Sequence, residues 1–568
     1  MTAPSVAPQS GTYDAIVVGA GMSGGWAAKE LAEKGMRVLV LDQGFPFDPM
    51  TDAREHVPPW AMPYRGLNDR RDVEARQYVQ RQVVTWDEYG RELFVDDRLH
   101  PYTTAEGKPF LYFRPSHVGG KSNMWGRQVY RLSDHDFTAN ARDGVAIDWP
   151  IRYADLAPWY DYVERYIGVS GESLGLANVP DGVFMPPMAM NPVERHVRDR
   201  VKGAFGGERV LTMGRVAMLT RDHNGRAACH YCGPCHRGCV TRSYFSAPNV
   251  TLPAAAATGR MTLRPRTVVR ELVWDGARRR ITAVRALDAD SKQALEYRAR
   301  LVFLCAGTFE SARLLLLSTS TDFPDGLANG SGQVGRNIMD HIKGAGANGR
   351  FEGFDAFAPR GNRPNGIYVP PFRNVRSREA DFPRAYAFQG GAGRGDWRAS
   401  LLQPGLGVAL KRRLETAGPW GFGWEARGEC LPYERNRLTL HPTQTDAWGI
   451  PVAHFDVAWG EAELAMHRDM GKTAVEMLEA AGAVDIRPFS RVSAPGATNH
   501  EMGTARMGRD PRTSVLDGFG RAHEVPNLFV TDGSCMTSSP CQNPSLTYMA
   551  ITARAADHAV TLLRRREL

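Results

Sequence analysis

Residues 13–42 constrain the fold more than any other part of the chain. Tyr13-Asp14-Ala15-Ile16-Val17-Val18 is apolar and β-branched, the composition of a short buried strand. Gly19-Ala20-Gly21-Met22-Ser23-Gly24 follows at once, and Gly25 to Lys34 is helical in composition, with Ala27, Ala28 and Leu31 spaced to face a sheet. Gly35 ends that helix, Met36 to Leu41 reads as a second strand, and Asp42 stands at its C-terminal end. The order strand, glycine turn, helix, strand, acid is that of a βαβ dinucleotide-binding unit, about thirty residues long.

Each residue type in that unit has a physical role. Gly19 permits the tight turn, Gly21 lets a pyrophosphate approach the backbone, and Gly24 lets helix and strand pack closely. Met22 and Ser23 open the helix, where free N–H groups and the positive dipole end meet phosphate. Asp42 is placed to accept from ribose hydroxyls. This motif does not by itself separate FAD from NAD.

The chain has 568 residues, which favours two interlocked domains over one. Hydrophobic residues make up 43% and charged residues 23%, the composition of a globular protein. The net charge of +8 is spread along the chain, and its dense basic runs are short, as at Arg278-Arg279-Arg280 and Arg564-Arg565-Arg566. That pattern argues against nucleic-acid binding. Nothing is long and apolar enough to span a bilayer, and the polar start from Met1 to Tyr13 does not look like a secretory signal. A cytoplasmic protein, or one exported with a partner subunit that bears the signal, both satisfy this.

Four of the eight cysteines, Cys229, Cys232, Cys235 and Cys239, lie in one run spaced C-x2-C-x2-C-x3-C. This is the bacterial ferredoxin-type spacing, with Val240 in place of the usual proline. Two local disulfides, a zinc site and idle thiols are the alternatives.

Later segments carry a family resemblance. His117-Val-Gly-Gly-Lys-Ser-Asn-Met-Trp-Gly126 resembles the second flavin-contacting loop of the glucose–methanol–choline (GMC) oxidoreductases. Leu301 to Gly307 with Glu310-Ser-Ala-Arg, and Gly332 to His341, are similar to that family's returning strand and adjoining loop. So are Asn499-His-Glu-Met-Gly-Thr504, Asn527 to Ser534 and Gln542-Asn-Pro-Ser-Leu-Thr547, all in the expected order.

The resemblance implies an α/β, Rossmann-like FAD-binding domain of the GMC and glutathione-reductase type, over residues 1–345 and 495–568. It carries a helical insertion at about 150–228 and the cysteine-rich insertion 229–239. Residues 346–494 are then an α+β substrate domain on an antiparallel sheet. The strand expected from Met261 to Leu272 would supply Val269 to the cofactor, and Phe351 to Arg398, rich in Gly, Pro and Arg, is expected to loop over the active-site mouth. Implied FAD contacts are Gly19, Gly21, Met22, Ser23, Gly24, Asp42, Gly120, Ser122, Asn123, Val269, Ala306, Gly307, Asp532, Gly533, Asn543, Pro544 and Thr547.

By the same resemblance His500 is the base that removes the hydroxyl proton of an alcohol, and Asn543 assists at the substrate oxygen. Met124 occupies the position where some members tether FAD through histidine, so noncovalent FAD is expected. The closest likeness is to the FAD subunits of bacterial sugar dehydrogenases, some of which hold a [3Fe–4S] cluster near the position of the cysteine run. That implies a sugar, glycoside or sugar-acid substrate, a small subunit, and electron transfer to cytochrome c or a quinone. An oxidase using dioxygen and a lyase that retains FAD are the rival readings.

Overall fold

The computed structural model describes residues 13–568, apart from 63, 64, 66–68, 89, 360, 379, 396–403 and 416. At its centre is a five-stranded parallel sheet in the order Leu528–Val530, Ala299–Leu304, Tyr13–Val18, Val38–Leu41, Met261–Arg264. Ala15 pairs with Val38 on one side and Leu301 on the other. Both faces of the sheet are covered, so Ala15 to Val18 and Val38 to Leu41 read as continuous apolar runs.

The helix Met22–Glu33 follows the first strand, and the last helix, Ser545–Arg564, packs against it. Ala27, Ala28 and Leu31 meet Ala555, Ala556 and Ala559 in one buried cluster, where small side chains let the two helices approach. Helices from opposite ends of the described chain therefore share one layer on the sheet.

The expected strand from Met261 to Leu272 is two strands. Met261–Arg264 finishes the parallel sheet, and Thr267–Asp275 opens an antiparallel sheet with Arg280–Asp288 and Ala294–Tyr297. Pro265 has no N–H for a ladder, and Arg266 turns the chain at φ 55°.

A six-stranded antiparallel sheet stands apart from the parallel one. Its order is Val484–Ser490, Ala345–Phe351, Trp420–Gly428, Tyr386–Arg394, Ile367–Val369, Thr212–Met213. Along Trp420–Gly428 buried residues alternate with partly exposed ones. Trp420, Phe422 and Trp424 join a core with Met470, Ala474 and Met477 of the helix Glu461–Ala480, while Glu425 and Arg427 alternate with them. Phe351 to Arg398, expected as loop, supplies two of these strands. Gly366 explains why so many glycines lie there: a Cβ on it would stand 1.7 Å from the Gly390 oxygen of the neighbouring strand.

The hairpin Arg437–Thr445 and Pro451–Asp456 forms a separate small sheet with Thr103–Thr104. Its Phe455 stacks on Phe110 and meets Phe309 of the helix Thr308–Leu317.

Candidate active site

A cavity of about 450 Å³ runs from the glycine turn to His500 and Asn543. The tight turn at its first end rests on Gly19, at φ 95°, where a Cβ would lie 2.4 Å from the Cys305 oxygen. The helix behind the turn has no capping side chain and no acid in its first turn, so its leading N–H groups are free for an anion. Asp42 accepts from the Ala20 and Gly44 amides, each at 2.8 Å, which fixes its carboxylate at the cavity wall. Burial pushes the Asp42 carboxyl up, and those two amides act against the shift.

The named cofactor residues divide cleanly. Gly19, Gly21, Met22, Ser23, Asp42, Gly120, Ser122, Val269, Ala306, Gly307, Asp532, Gly533 and Asn543 line the cavity. Gly24, Asn123, Pro544 and Thr547 lie outside that lining. A Cβ on Gly24 would stand 1.8 Å from the Gly19 oxygen, so its role is helix–turn packing. The Asn123 carbonyl accepts from the Tyr244 hydroxyl at 2.6 Å, Pro544 precedes the last helix, and the Thr547 hydroxyl meets that of Tyr160 at 2.9 Å. Met124 lines the cavity with its side chain buried beside Phe47, Phe94 and Phe113.

The long shape, the uncapped helix end and the acid suit a dinucleotide such as FAD: phosphates at the Met22–Glu33 helix, a ribose at Asp42. Asp532 adds a second anchor, accepting from the Gly307 amide at 2.9 Å and the Ser311 hydroxyl at 2.5 Å.

At the other end, His500 and Asn543 come together. The Asn543 amide donates to His500 Nε2 at 3.1 Å, and Gln389 Nε2 donates to Asn543 Oδ1 at 2.7 Å, which sets the amide's orientation. His500 Nδ1 lies 2.9 Å from Nδ1 of His341, whose Nε2 lies 2.9 Å from the Pro540 carbonyl. A carbonyl only accepts, so His341 carries its proton on Nε2 and accepts at Nδ1. His500 is thereby protonated on Nδ1, and its Nε2 presents a lone pair beside Asn543. Asp340 fixes the loop by accepting from the His500 amide at 3.0 Å.

Burial holds His500 well below the usual histidine range, and the neighbouring His341 ring and the cations Arg427, Lys343 and Lys121 lower it further. His500 is therefore neutral, the form a base requires. Lys121 donates to Glu501 at 2.5 Å and so is already paired.

His341, Gln389, Lys343, Arg427, Arg127 and Gln128 were not singled out from sequence, yet all but His341 line this cavity. His341 closes the Gly332 to His341 motif, a signal that was present; the others sit in segments without a local motif.

The four clustered cysteines, expected as an iron–sulfur ligand set, stand here as free thiols. Among the described residues no group of three or more His, Cys, Asp or Glu side chains is arranged to hold a metal. All eight cysteines are unpaired thiols. Cys235 and Cys239 turn into the apolar core beside Tyr244, while Cys229 and Cys232 are half-buried. Burial pushes the Cys229, Cys232 and Cys235 thiols up. No helix among the described residues is long and apolar enough to cross a membrane.

Comparison with known proteins identifies the family and the fold. Family models described as GMC oxidoreductase match residues 13–343 and 432–552. The chain is 28% identical to a 2-methyl-1,2-propanediol dehydrogenase of Mycolicibacterium austroafricanum, over 96% of this chain and 94% of that one. It is 27% identical to the fructose dehydrogenase large subunit of Gluconobacter japonicus, over 96% and 97%. Among solved structures, pyridoxine 4-oxidase from Mesorbium loti superposes with a TM-score of 0.61 at 19% identity, covering 96% of this chain and 99% of that one, a likeness of fold.

Proposed function

The chain belongs to the GMC oxidoreductases, FAD-binding enzymes acting on CH–OH groups of alcohol and sugar-type substrates, and on that footing we propose a dehydrogenase that oxidises a secondary alcohol of a sugar, glycoside or sugar acid to a ketone. The observation that carries this reading is the lone pair of His500 Nε2, aimed beside the Asn543 amide in the dinucleotide cavity.

Oxidation removes a hydride from the carbinol carbon and a proton from its hydroxyl. Bound FAD supplies the hydride acceptor. His500 Nε2 takes the proton, and His341 holds the ring in the tautomer that permits it. Asn543 has a second N–H for the substrate oxygen, and Gln389 keeps the amide facing that way. We assign FAD binding to residues 1–345 and 495–568, without covalent attachment because Met124 offers no nucleophile, and substrate recognition to 346–494. A relative named as a dehydrogenase large subunit supports a partner subunit and a protein or quinone acceptor, while equally similar relatives named as oxidases make dioxygen the rival acceptor. A quinone accepts two electrons, so this reading stands without an iron–sulfur relay.

Anaerobic mixing of holoenzyme with a panel of sugars and polyols tests the proposal. Flavin bleaching with formation of a ketone is expected, and a panel that leaves the flavin oxidised overturns it. Peroxide release in air without added acceptor would identify an oxidase instead.

A further inference from the structure

The roof of the cavity carries charge that the oxidation itself does not use. Ile342 and Gly428 exchange backbone hydrogen bonds at 3.0 and 2.9 Å, an isolated bridge that sets Lys343, just before the strand Ala345–Phe351, beside Arg427. Both line the same cavity as His500 and Asn543. Arg427 has a partner: its Nη1 lies 2.6 Å from Glu425 Oε2. Glu425 also accepts from the Gly344 amide at 3.1 Å.

The Lys343 carbonyl accepts from the Ser493 amide at 3.3 Å, but the Lys343 ammonium has no hydrogen bond and no ion pair among the described residues. The acids near it are Glu425 and Asp340, and both are engaged elsewhere. Asp340 accepts from the His500 amide at 3.0 Å, the Thr498 amide at 3.1 Å and the Thr498 hydroxyl. Burial, and then the neighbouring Arg427, disfavour the charged form of this lysine. A partly buried ammonium without a counter-charge is unfavourable, and here it borders the base.

We propose that Lys343 is the specificity residue for an anionic substrate, a hydroxy acid of the sugar-acid type whose carboxylate pairs with its ammonium while the carbinol meets His500. The inference rests on the oxidation proposed above and names its substrate class. A carboxylate supplies the charge that Glu425 and Asp340 cannot, through a charge-assisted hydrogen bond stronger than one from a neutral hydroxyl. It also offsets the positive surroundings of His500, so the base gains its proton more readily once the substrate is seated. A single ammonium suits a monoanion, and a phosphate dianion would call for more donors.

The test compares holoenzyme turnover of an aldonate, the alditol of equal chain length and the matching sugar phosphate under anaerobic dye reduction. The aldonate should exceed the alditol at least tenfold in kcat/KM, chiefly through KM. Lys343→Met should reduce that ratio at least tenfold, and Lys343→Arg should restore part of it, each at wild-type FAD content. Equal use of aldonate and alditol, preference for the phosphate, or an unchanged ratio in Lys343→Met overturns the proposal. Succinate, which has no hydroxyl to oxidise, provides the independent arm. It should perturb the flavin absorbance of wild-type holoenzyme and not that of Lys343→Met. If succinate binds this way while no alcohol bleaches the flavin, the oxidation fails and the anion site stands. If neutral sugars bleach it and succinate has no effect, the anion site fails and the oxidation stands.

Discussion

His341 and His500 face one another through their Nδ1 atoms at 2.9 Å, with ring planes 82° apart. The Pro540 carbonyl anchors the far side of His341, so the chain of partners determines which nitrogen of His500 is unprotonated. His341 touches neither substrate nor cofactor in this reading; it is a positioning residue. His341→Leu should lower kcat on the order of tenfold with little change in KM, because the His500 ring loses its acceptor and its fixed tautomer. His341→Gln, with an amide oxygen to accept, should recover part of the rate. Equal loss in both variants would point to a purely structural role.

His500→Ala should keep FAD, since its imidazole lies at the end of the cavity away from the glycine turn. Flavin reduction by substrate should slow by about 10²–10⁴, the usual worth of a positioned base. Rapid mixing isolates this step from reoxidation, and near-normal reduction would remove His500 from the mechanism.

The pH dependence has a definite sign. His500 acts in its neutral form, and burial puts its pKa well below the ordinary 6.5. The plateau of kcat/KM should therefore extend through pH 6.5, with an acid limb only at lower pH. A limb at or above 6.5 contradicts the structure.

Stability follows a related course at His117, which is buried against Phe45 and Phe47 and held down to about 4 by burial. Its folded pKa lies below the unfolded value of 6.5, so the unfolded chain binds the extra proton first. Its contribution is whole above 6.5 and is lost as pH falls toward 4. Denaturant midpoints should decline over that window, and His117→Gln should flatten the decline.

Acid precipitation should release the yellow colour into the supernatant. Met124 lies in the cavity wall where a tethering histidine would be needed, and a thioether forms no such bond. Colour retained in the pellet would disprove noncovalent binding.

Gly24→Ala should destabilise the protein by about 1–3 kcal/mol and raise the fraction isolated without FAD. The added methyl would stand 1.8 Å from the Gly19 oxygen, and moving the helix away would open the phosphate turn. Thermal unfolding and the flavin-to-protein absorbance ratio measure the two effects.

Sequence alone determined the parallel unit at residues 13–42, because strand, turn and helix there are each locally encoded and contiguous. It also marked His500 and Asn543, since both sit in short motifs. What it left open depends on pairing between distant segments. The break at Pro265 and Arg266 follows from Arg266 and Thr267 hydrogen-bonding back to Gly44 and Asp42. The glycine-rich stretch became strands because Gly390 and Gly366 meet across a ladder. The cysteine spacing is that of a cluster ligand run, and only packing decides that Cys235 and Cys239 sit in an apolar core. Lys343 and Arg427 are 84 positions apart by their numbering and become neighbours only when Ile342 and Gly428 pair. Local order in the chain specifies which residues can do chemistry; the sheet register decides which charges surround them, because Coulomb interactions depend on distance in space and not along the chain.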